Sequence, residues 1–201
     1  MVKAITFDLD GVYFVNGKSN FINNLNKLGV PVEEAKRVFL ESDQMNKDYK
    51  TGKMTDEEFW TWAAREWKLN KTPTDLIKLL ISGYEVNDEV VETVKKVRKN
   101  GYKTLICTSN FPARINGLQE KFNFLDNFDA RALSYEVGFN KPAKELFENL
   151  VEKSEVNANE IVFADDNQES VDAAKKVGIE AFYFEGFEKF VLKLKDLGVQ
   201  V

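Results

Sequence analysis

The chain has 201 residues, enough for one ample core or for a core with a smaller insert. Its composition, 43% hydrophobic and 30% charged, is that of a folded globular protein and excludes a disordered one. A net charge of −5, with acids and bases interspersed, leaves no basic block for a nucleic-acid face, and no apolar run reaches the length of a membrane span. There is no histidine, which excludes Ser-His-Asp and Cys-His nucleophilic sites and His-ligated zinc, and a single cysteine excludes an internal disulfide. Proton chemistry then falls to Asp, Glu, Lys or Tyr, and any metal is expected to be hard and oxygen-bound, such as Mg2+. The opening residues carry no secretion-signal pattern, and the expected location is cytoplasmic.

In chain order, residues 3–8 read as a first strand, with Ile5, Phe7 and Leu9 on one face and Thr6, Asp8 and Asp10 on the other. From about 19 to 83 the pattern is helical. Pro31 opens a helix with Val32, Ala35, Val38 and Phe39 as its apolar stripe. Thr55 and Glu58 form a capping box before the next helix, and another follows Pro73. Trp60 and Trp67 share a face and read as core; Trp62 lies at its edge, as core or as a wall of a site. Lys50 and Lys53, around Gly52, read as solvated or as substrate contacts. Then the texture changes. Asn87 is expected to cap a helix whose Val90, Val91, Val94 and Val97 face a core, and a strand follows at 102–107, with Cys107 as a small buried hydrophobe. Further strands are expected at 128–133, 160–164 and 180–184, and helices at about 111–124, 142–154 and 168–177. A last helix follows, built on Phe187, Phe190, Val191, Leu194 and Leu197.

Strands alternating with helices predict an α/β fold, a parallel sheet flanked by helices, interrupted after its first strand by an all-helical insert. The boundaries are 1–14 and 86–201 for the core and 15–85 for the insert, read as a cap. Both junctions carry a glycine, at "GVYFVNG" and near Gly83, and are expected to act as hinges.

In such sheets ligands bind beyond the carboxyl ends of the strands, and three of those ends carry unusual polar residues. They are Asp8-Leu9-Asp10-Gly11, Ser109-Asn110 and Asp165-Asp166-Asn167. Each has a plain reading, as a turn or a helix cap, and Lys141 before Pro142 could be a loop lysine. Taken together they are less plain. Four carboxylates at the ends of two parallel strands repel unless a cation joins them, and Mg2+ supplies that charge. Helices beginning near 111 and 168 would aim their positive N-termini at one place, and Lys141 adds a cation. Cations, amide donors and a hydroxyl around a metal-bound carboxylate describe a phosphate site.

These residues, in this order, resemble the haloacid dehalogenase superfamily over nearly the whole chain. The first motif stands as Asp8-Leu9-Asp10-Gly11-Val12, the second as Ser109 in "LICTSN", the third as Lys141 in "GFNKPAKELF" and the fourth as Asp165 and Asp166 in "VFADDNQESVDAA". The resemblance implies a Rossmann-like core with a type-1 helical cap and makes Asp8 the nucleophile that forms an aspartyl phosphate. Asp10 would be the general acid and then the base. Mg2+ would be held by the Asp8 and Asp166 carboxylates and the Asp10 backbone carbonyl, with Asp165 close to it or bound through water. Ser109, the Asn110 amide and Lys141 would bind the phosphoryl oxygens. One position departs from the pattern: where many relatives carry a further acid, four residues after the metal aspartate, this chain has Ser170. The second aspartate favours phosphoesters over halides, since a departing halide needs no proton. The cap stretch "YKTGKMTDEEFW" is similar to that of sugar-phosphate phosphatases near the alpha-glucose-1-phosphate phosphatases and the N-terminal domain of soluble epoxide hydrolase. The expected activity is hydrolysis of small phosphomonoesters, sugar phosphates by the cap likeness, the expected partners being small phosphorylated metabolites and neither nucleic acid nor membrane, by a monomer or weak homodimer. A phosphomutase of the beta-phosphoglucomutase type and a non-catalytic binding domain on the same fold stand as alternatives.

Overall fold

A computed structural model describes all residues, 1–201. Its centre is a five-stranded, all-parallel sheet made of β1 (Ala4–Phe7), β4 (Lys103–Thr108), β5 (Ala130–Leu133), β6 (Ile161–Asp165) and β7 (Glu180–Tyr183). The spatial order is β5-β4-β1-β6-β7. Four of these strands begin or end within two residues of the predicted bounds, and β1 is the predicted first strand. Its four residues are all buried. A strand covered on both faces reads as a continuous apolar run, which is why "AITF" carries so little alternation.

The helices of the core are α5 (Asp88–Lys99), α6 (Pro112–Phe122), a single turn α7 (Ser134–Val137), α8 (Lys144–Ser154), α9 (Gln168–Lys176) and α10 (Phe187–Asp196). Asn87 stands at the N-cap of α5, but its side chain makes no cap hydrogen bond. Its amide instead donates to the Tyr13 carbonyl at 2.9 Å. On α5, Val90, Val94 and Val97 are buried and Val91 lies at the margin.

Between β1 and α5 the chain leaves the sheet and returns through a feature the sequence pattern does not show. A two-stranded antiparallel ribbon joins β2 (Phe14–Val15) to β3 (Glu85–Val86). Between them lie α1 (Gly17–Lys27), α2 (Val32–Lys36), α3 (Asp56–Glu66) and α4 (Pro73–Ser82). The helix opened by Pro31 does not stay α-helical: it runs into a π-helical turn over Arg37–Glu41, and a second spans Gln44–Tyr49. The Thr55–Glu58 capping box is formed, and Thr72–Asp75 makes a second one ahead of Pro73.

This helical segment is seated on the sheet's helices through one continuous apolar cluster. Phe111, just ahead of α6, stacks on Tyr49 at 4.6 Å and lies 6.2 Å from Trp60 and 6.4 Å from Phe39. Burying a ring of this size contributes about 1.5–3 kcal/mol. Trp60 and Trp67 are buried as expected, whereas Trp62 is half-buried against Phe59. It lines a cleft of about 650 Å³ with Lys53, Asp48 and Arg65.

Candidate active site

Because β1 lies between β4 and β6, the three polar strand ends are neighbours. Adjacent strands are about 4.8 Å apart, so Asp8, Ser109 and Asp165 fall within reach of one small ligand. They line a cavity of about 240 Å³ with Asp10, Lys18, Lys50, Thr108, Lys141, Asp166, Asn167 and Ser170, and none of its walls is apolar.

Lys141 ties the first and last strand ends together. Its Nζ lies 3.1 Å from Asp8 Oδ2 and 2.5 Å from Asp165 Oδ2. Its backbone amide donates to Ser109 Oγ at 3.0 Å. Burial alone would push the lysine down, but Asp8 and Asp165 outweigh it and hold the ammonium well above its ordinary range. Asp165 moves up instead, since burial and the nearby Asp8 charge together exceed the pull of Lys141.

Asp10 has a different set of partners. Arg114 Nη2 lies 2.8 Å and Lys18 Nζ 3.3 Å from its Oδ2, and the Tyr84 hydroxyl lies 3.3 Å from its Oδ1. Burial raises its carboxyl, yet Arg114 and then Lys18 more than offset this and leave it below the usual carboxylate range. Gly11, next in the chain, has φ +78°, in the left-handed region that glycine enters without strain.

Lys50 enters from the helical segment. Tyr49 before it is clamped between Phe59 at 4.4 Å and Phe111, with its hydroxyl donating to Asp56 at 2.5 Å and accepting from Trp60 Nε1 at 2.9 Å. The Lys50 carbonyl accepts from Ser134 Oγ at 2.6 Å. Two residues on, Gly52 has φ +74°, and a Cβ there would stand 2.3 Å from the Tyr135 carbonyl oxygen, so only glycine lets the loop come this close. Lys50 Nζ donates to Asn46 Oδ1 at 2.9 Å. Burial, then Arg114 and Lys18, push its ammonium down to about 7 against the pull of Asp10.

Several expected site residues are placed differently. Asn110 is fully buried, and its amide donates to Ser134 Oγ at 2.9 Å; it faces Ser134 rather than the cavity, so that donor is not open to a phosphoryl oxygen. The N-terminus of α6 is likewise occupied, since the Ala113 amide donates to Asp56 at 3.1 Å. Both carboxylate oxygens of Asp165 are engaged within the protein. One of its oxygens is taken by Lys141 and the other accepts from the Asn167 amide at 2.9 Å. Asn167, not an aspartate, caps α9. Lys53 lies in the separate cleft with Trp62, away from the cavity. The expected repulsion among four carboxylates is met mostly by the protein's own cations, Lys141, Arg114 and Lys18.

What those cations leave over fits a divalent ion. Asp166 is exposed at the cavity rim and has no ion-pair partner. The Asp10 carbonyl oxygen accepts no hydrogen bond. Asp10 and Asp166 line a smaller space of about 60 Å³ together with Asp8, Gly11, Val12, Asp165 and Phe184. No three acidic side chains converge there. Asp166 and the Asp10 carbonyl are the open donors, both oxygen as a hard cation requires, and Asp8 would join them by yielding its contact with Lys141 or with the Leu9 amide, with water completing the shell.

Arg114, Tyr84, Lys18 and Ser134 escape a reading by motif. Arg114 leaves one trace. It stands four residues before Leu118 on the buried stripe of α6, where a lone arginine needs a buried partner.

A parallel sheet with acidic strand ends, a lysine between them and a helical segment inserted after the first strand is the framework that known proteins share with this chain. The family model for haloacid dehalogenase-like hydrolases matches residues 2–178, and the chain belongs to that family. A protein of Dictyostelium discoideum is 30% identical over 155 residues, 74% of this chain and 66% of its own length. The D-ribitol-5-phosphate phosphatase of Bacteroides thetaiotaomicron is 24% identical over 191 residues, 90% of this chain and 91% of that one. Among solved structures, a HAD family enzyme of the same bacterium, in complex with magnesium and inorganic phosphate, superposes with a TM-score of 0.77 at 20% identity, over 94% of this chain and 99% of that one. No helix is long and apolar enough to cross a membrane.

Proposed function

We propose that this hydrolase is a Mg2+-dependent phosphatase of small phosphomonoesters, sugar or polyol phosphates in particular, acting through an aspartyl phosphate on Asp8. The observation that carries the reading is the pair of aspartates at the end of β1 with separate partners, Asp8 on Lys141 and Asp10 on Arg114, in a cavity without an apolar wall. Attack on phosphorus by Asp8 needs cations around the phosphoryl oxygens, and Lys141 and the Ser109 hydroxyl stand there. A departing alkoxide needs a proton, and Asp10 is the acid beside it; the same group then takes a proton from the water that hydrolyses the intermediate. Asp8, Asp166 and the Asp10 carbonyl would hold Mg2+, which when bound supplies positive charge to the phosphoryl group. Residues 15–85 serve as a cap on a core of 1–14 and 86–201, and Lys18 and Lys50 are its contribution to the leaving-group side. A cavity of about 240 Å³ with polar walls suits a small hydroxylated leaving group, in keeping with the ribitol phosphate named for one relative.

The test is phosphate release from p-nitrophenyl phosphate and from a panel of sugar and polyol phosphates, with Mg2+ and with chelator. Turnover that requires Mg2+ is expected. Equal rates in both conditions would remove the metal assignment, and no turnover of any phosphomonoester would remove the function.

A further inference from the structure

Asn110, taken out of the cavity by its burial, leads to a group of residues with no part in binding phosphate. Its side-chain oxygen accepts from Arg114 Nε at 2.5 Å, one helical turn on. The guanidinium lies 4.7 Å over the Phe111 ring and is buried throughout. A guanidinium cannot shed its charge, so burial has to be met by a partner. That partner is Asp10. Arg114 Nη2 lies 2.8 Å from Asp10 Oδ2 as an ion pair off the line of a hydrogen bond, while Nη1 donates to the Tyr84 hydroxyl at 2.9 Å. The Tyr84 hydroxyl in turn lies 3.3 Å from Asp10 Oδ1. Each carboxylate oxygen of Asp10 thus faces a group anchored in the interior. Tyr84 is itself fixed, since its ring packs where a Cβ on Gly17 would stand, 2.2 Å away. Lys18 also reaches Oδ2, but from a side chain 44% exposed, and so fixes little.

We propose that Arg114 and Tyr84 are positioning residues that hold the plane of the Asp10 carboxyl group, so that its proton is delivered to the ester oxygen of a substrate bound at Asp8. The proposal rests on the phosphatase reading above. In the step concerned, Asp10 has first taken up a proton from solvent; an Asp8 oxygen then bonds to phosphorus, the P–O ester bond breaks with its electron pair going to the departing oxygen, and the proton passes from Asp10 to that oxygen. Transfer of this kind depends on aim, and a displacement of about 1 Å can cost about a hundredfold in rate. A buried ion pair that merely pinned α6 to the end of β1 would give the same contacts, so the test has to separate aim from stability.

The leaving group separates them. p-Nitrophenolate departs with little help from an acid, whereas the alkoxide of an alkyl phosphate needs a proton. The value of kcat/KM reports the step in which the leaving group departs. The experiment compares Tyr84→Phe and Arg114→Lys with the wild type, all loaded with Mg2+, on p-nitrophenyl phosphate and on an alkyl phosphate such as glycerol phosphate. Thermal melts run alongside. Tyr84→Phe removes one oxygen and leaves the ring in place, so it decides the matter even if Arg114→Lys fails to fold. The expected result is a loss on the alkyl phosphate about tenfold or more beyond the loss on the aryl phosphate. Equal losses on both substrates, or no loss with Tyr84→Phe, would overturn the proposal and leave the phosphatase reading intact. A wild type that hydrolyses neither substrate would overturn the phosphatase reading itself and this proposal with it.

Discussion

Asp8 and Asp10 are two residues apart, yet different parts of the molecule hold them. The neighbours of Asp8 come from the sheet side: Ser109 at the end of β4, Asp165 at the end of β6 and Lys141 ahead of α8. The neighbours of Asp10 come from α6 and from the two stretches that join the helical segment to the sheet, Lys18 at the start of α1 and Tyr84 beside β3. Lys50 is added from inside the segment. Sheet register alone therefore places the proposed nucleophile, while the surroundings of the proposed proton carrier depend on how the helical segment sits. The division has a consequence for chemistry. Changes on the Asp8 side should slow every substrate alike, and changes on the Asp10 side should depend on the leaving group.

The largest expected effects test the two aspartates themselves. Asp8→Asn should abolish phosphate release from all substrates, a loss of roughly 10⁴–10⁶-fold by analogy with other deleted nucleophiles. Asp10→Asn should cost roughly 10²–10⁴-fold, the usual range for a lost acid–base group, and more for alkyl than for aryl phosphates. Steady-state phosphate release with Mg2+ measures both. An Asp8→Asn protein that retained activity would end the covalent reading, and an Asp10→Asn loss blind to the leaving group would erase the difference between the two sides.

The Asp8 side could be read in the sequence because strand ends are local features. An apolar run that stops at Asp8, Ser109 or Asp165 marks the carboxyl end of a strand, and parallel strands bring such ends together whatever the details of packing. The Asp10 side could not be read in the same way. Whether Arg114 faces solvent or Asp10 depends on how α6 is rotated, and Tyr84 depends on the β2–β3 ribbon, whose strands are two residues each. The π-helical turn before Lys50 was hidden for a related reason. It adds residues to each turn and shifts the face on which every later side chain falls, so a 3.6-residue period cannot tell Lys50 from Lys53. Gly52, with φ +74°, then turns the chain between Lys50 at the cavity and Lys53 in the cleft with Trp62.

That pair of lysines sharpens the comparison at a smaller scale. Lys50→Met should lower kcat/KM for a sugar or polyol phosphate about ten- to a hundredfold more than for acetyl phosphate, the worth of a hydrogen bond from a charged donor. Acetyl phosphate hardly extends beyond the phosphoryl group, so it should lose little. Lys53→Ala should leave both substrates within about twofold, as a surface substitution away from the cavity would. Equal losses on sugar phosphate and acetyl phosphate with Lys50→Met would mean that the helical segment covers the site without selecting the leaving group. A selective loss with Lys53→Ala would place the selecting surface in the other cleft.

The smallest expected effect concerns stability of the metal-free protein, measured in chelator. Lys50 is pushed down to about 7, by burial first and then by Arg114 and Lys18, with Asp10 opposing and Lys141 adding to the depression. In the unfolded chain a lysine titrates near 10.4. Below about 7 both states carry the proton and the folded state bears the whole penalty of a crowded cation. Between about 7 and about 10.4 the unfolded chain binds more protons than the folded one, so stability attributable to Lys50 rises with pH across that window. Lys50→Met removes this rise. The Tm of the variant minus that of the wild type should therefore be greatest near pH 6 and fall steadily toward pH 9. The lost bond to Asn46 shifts that difference by the same amount at every pH. Buried Cys107, pushed up to about 12, works the other way, since its thiol ionises in the unfolded chain first and lowers stability as pH rises above about 8.5. It does so in both proteins and cancels in the difference. A difference in Tm that stayed flat from pH 6 to pH 9 would show that Lys50 keeps its proton throughout, and would make it a settled partner of Asp10 in place of a cation crowded by Arg114.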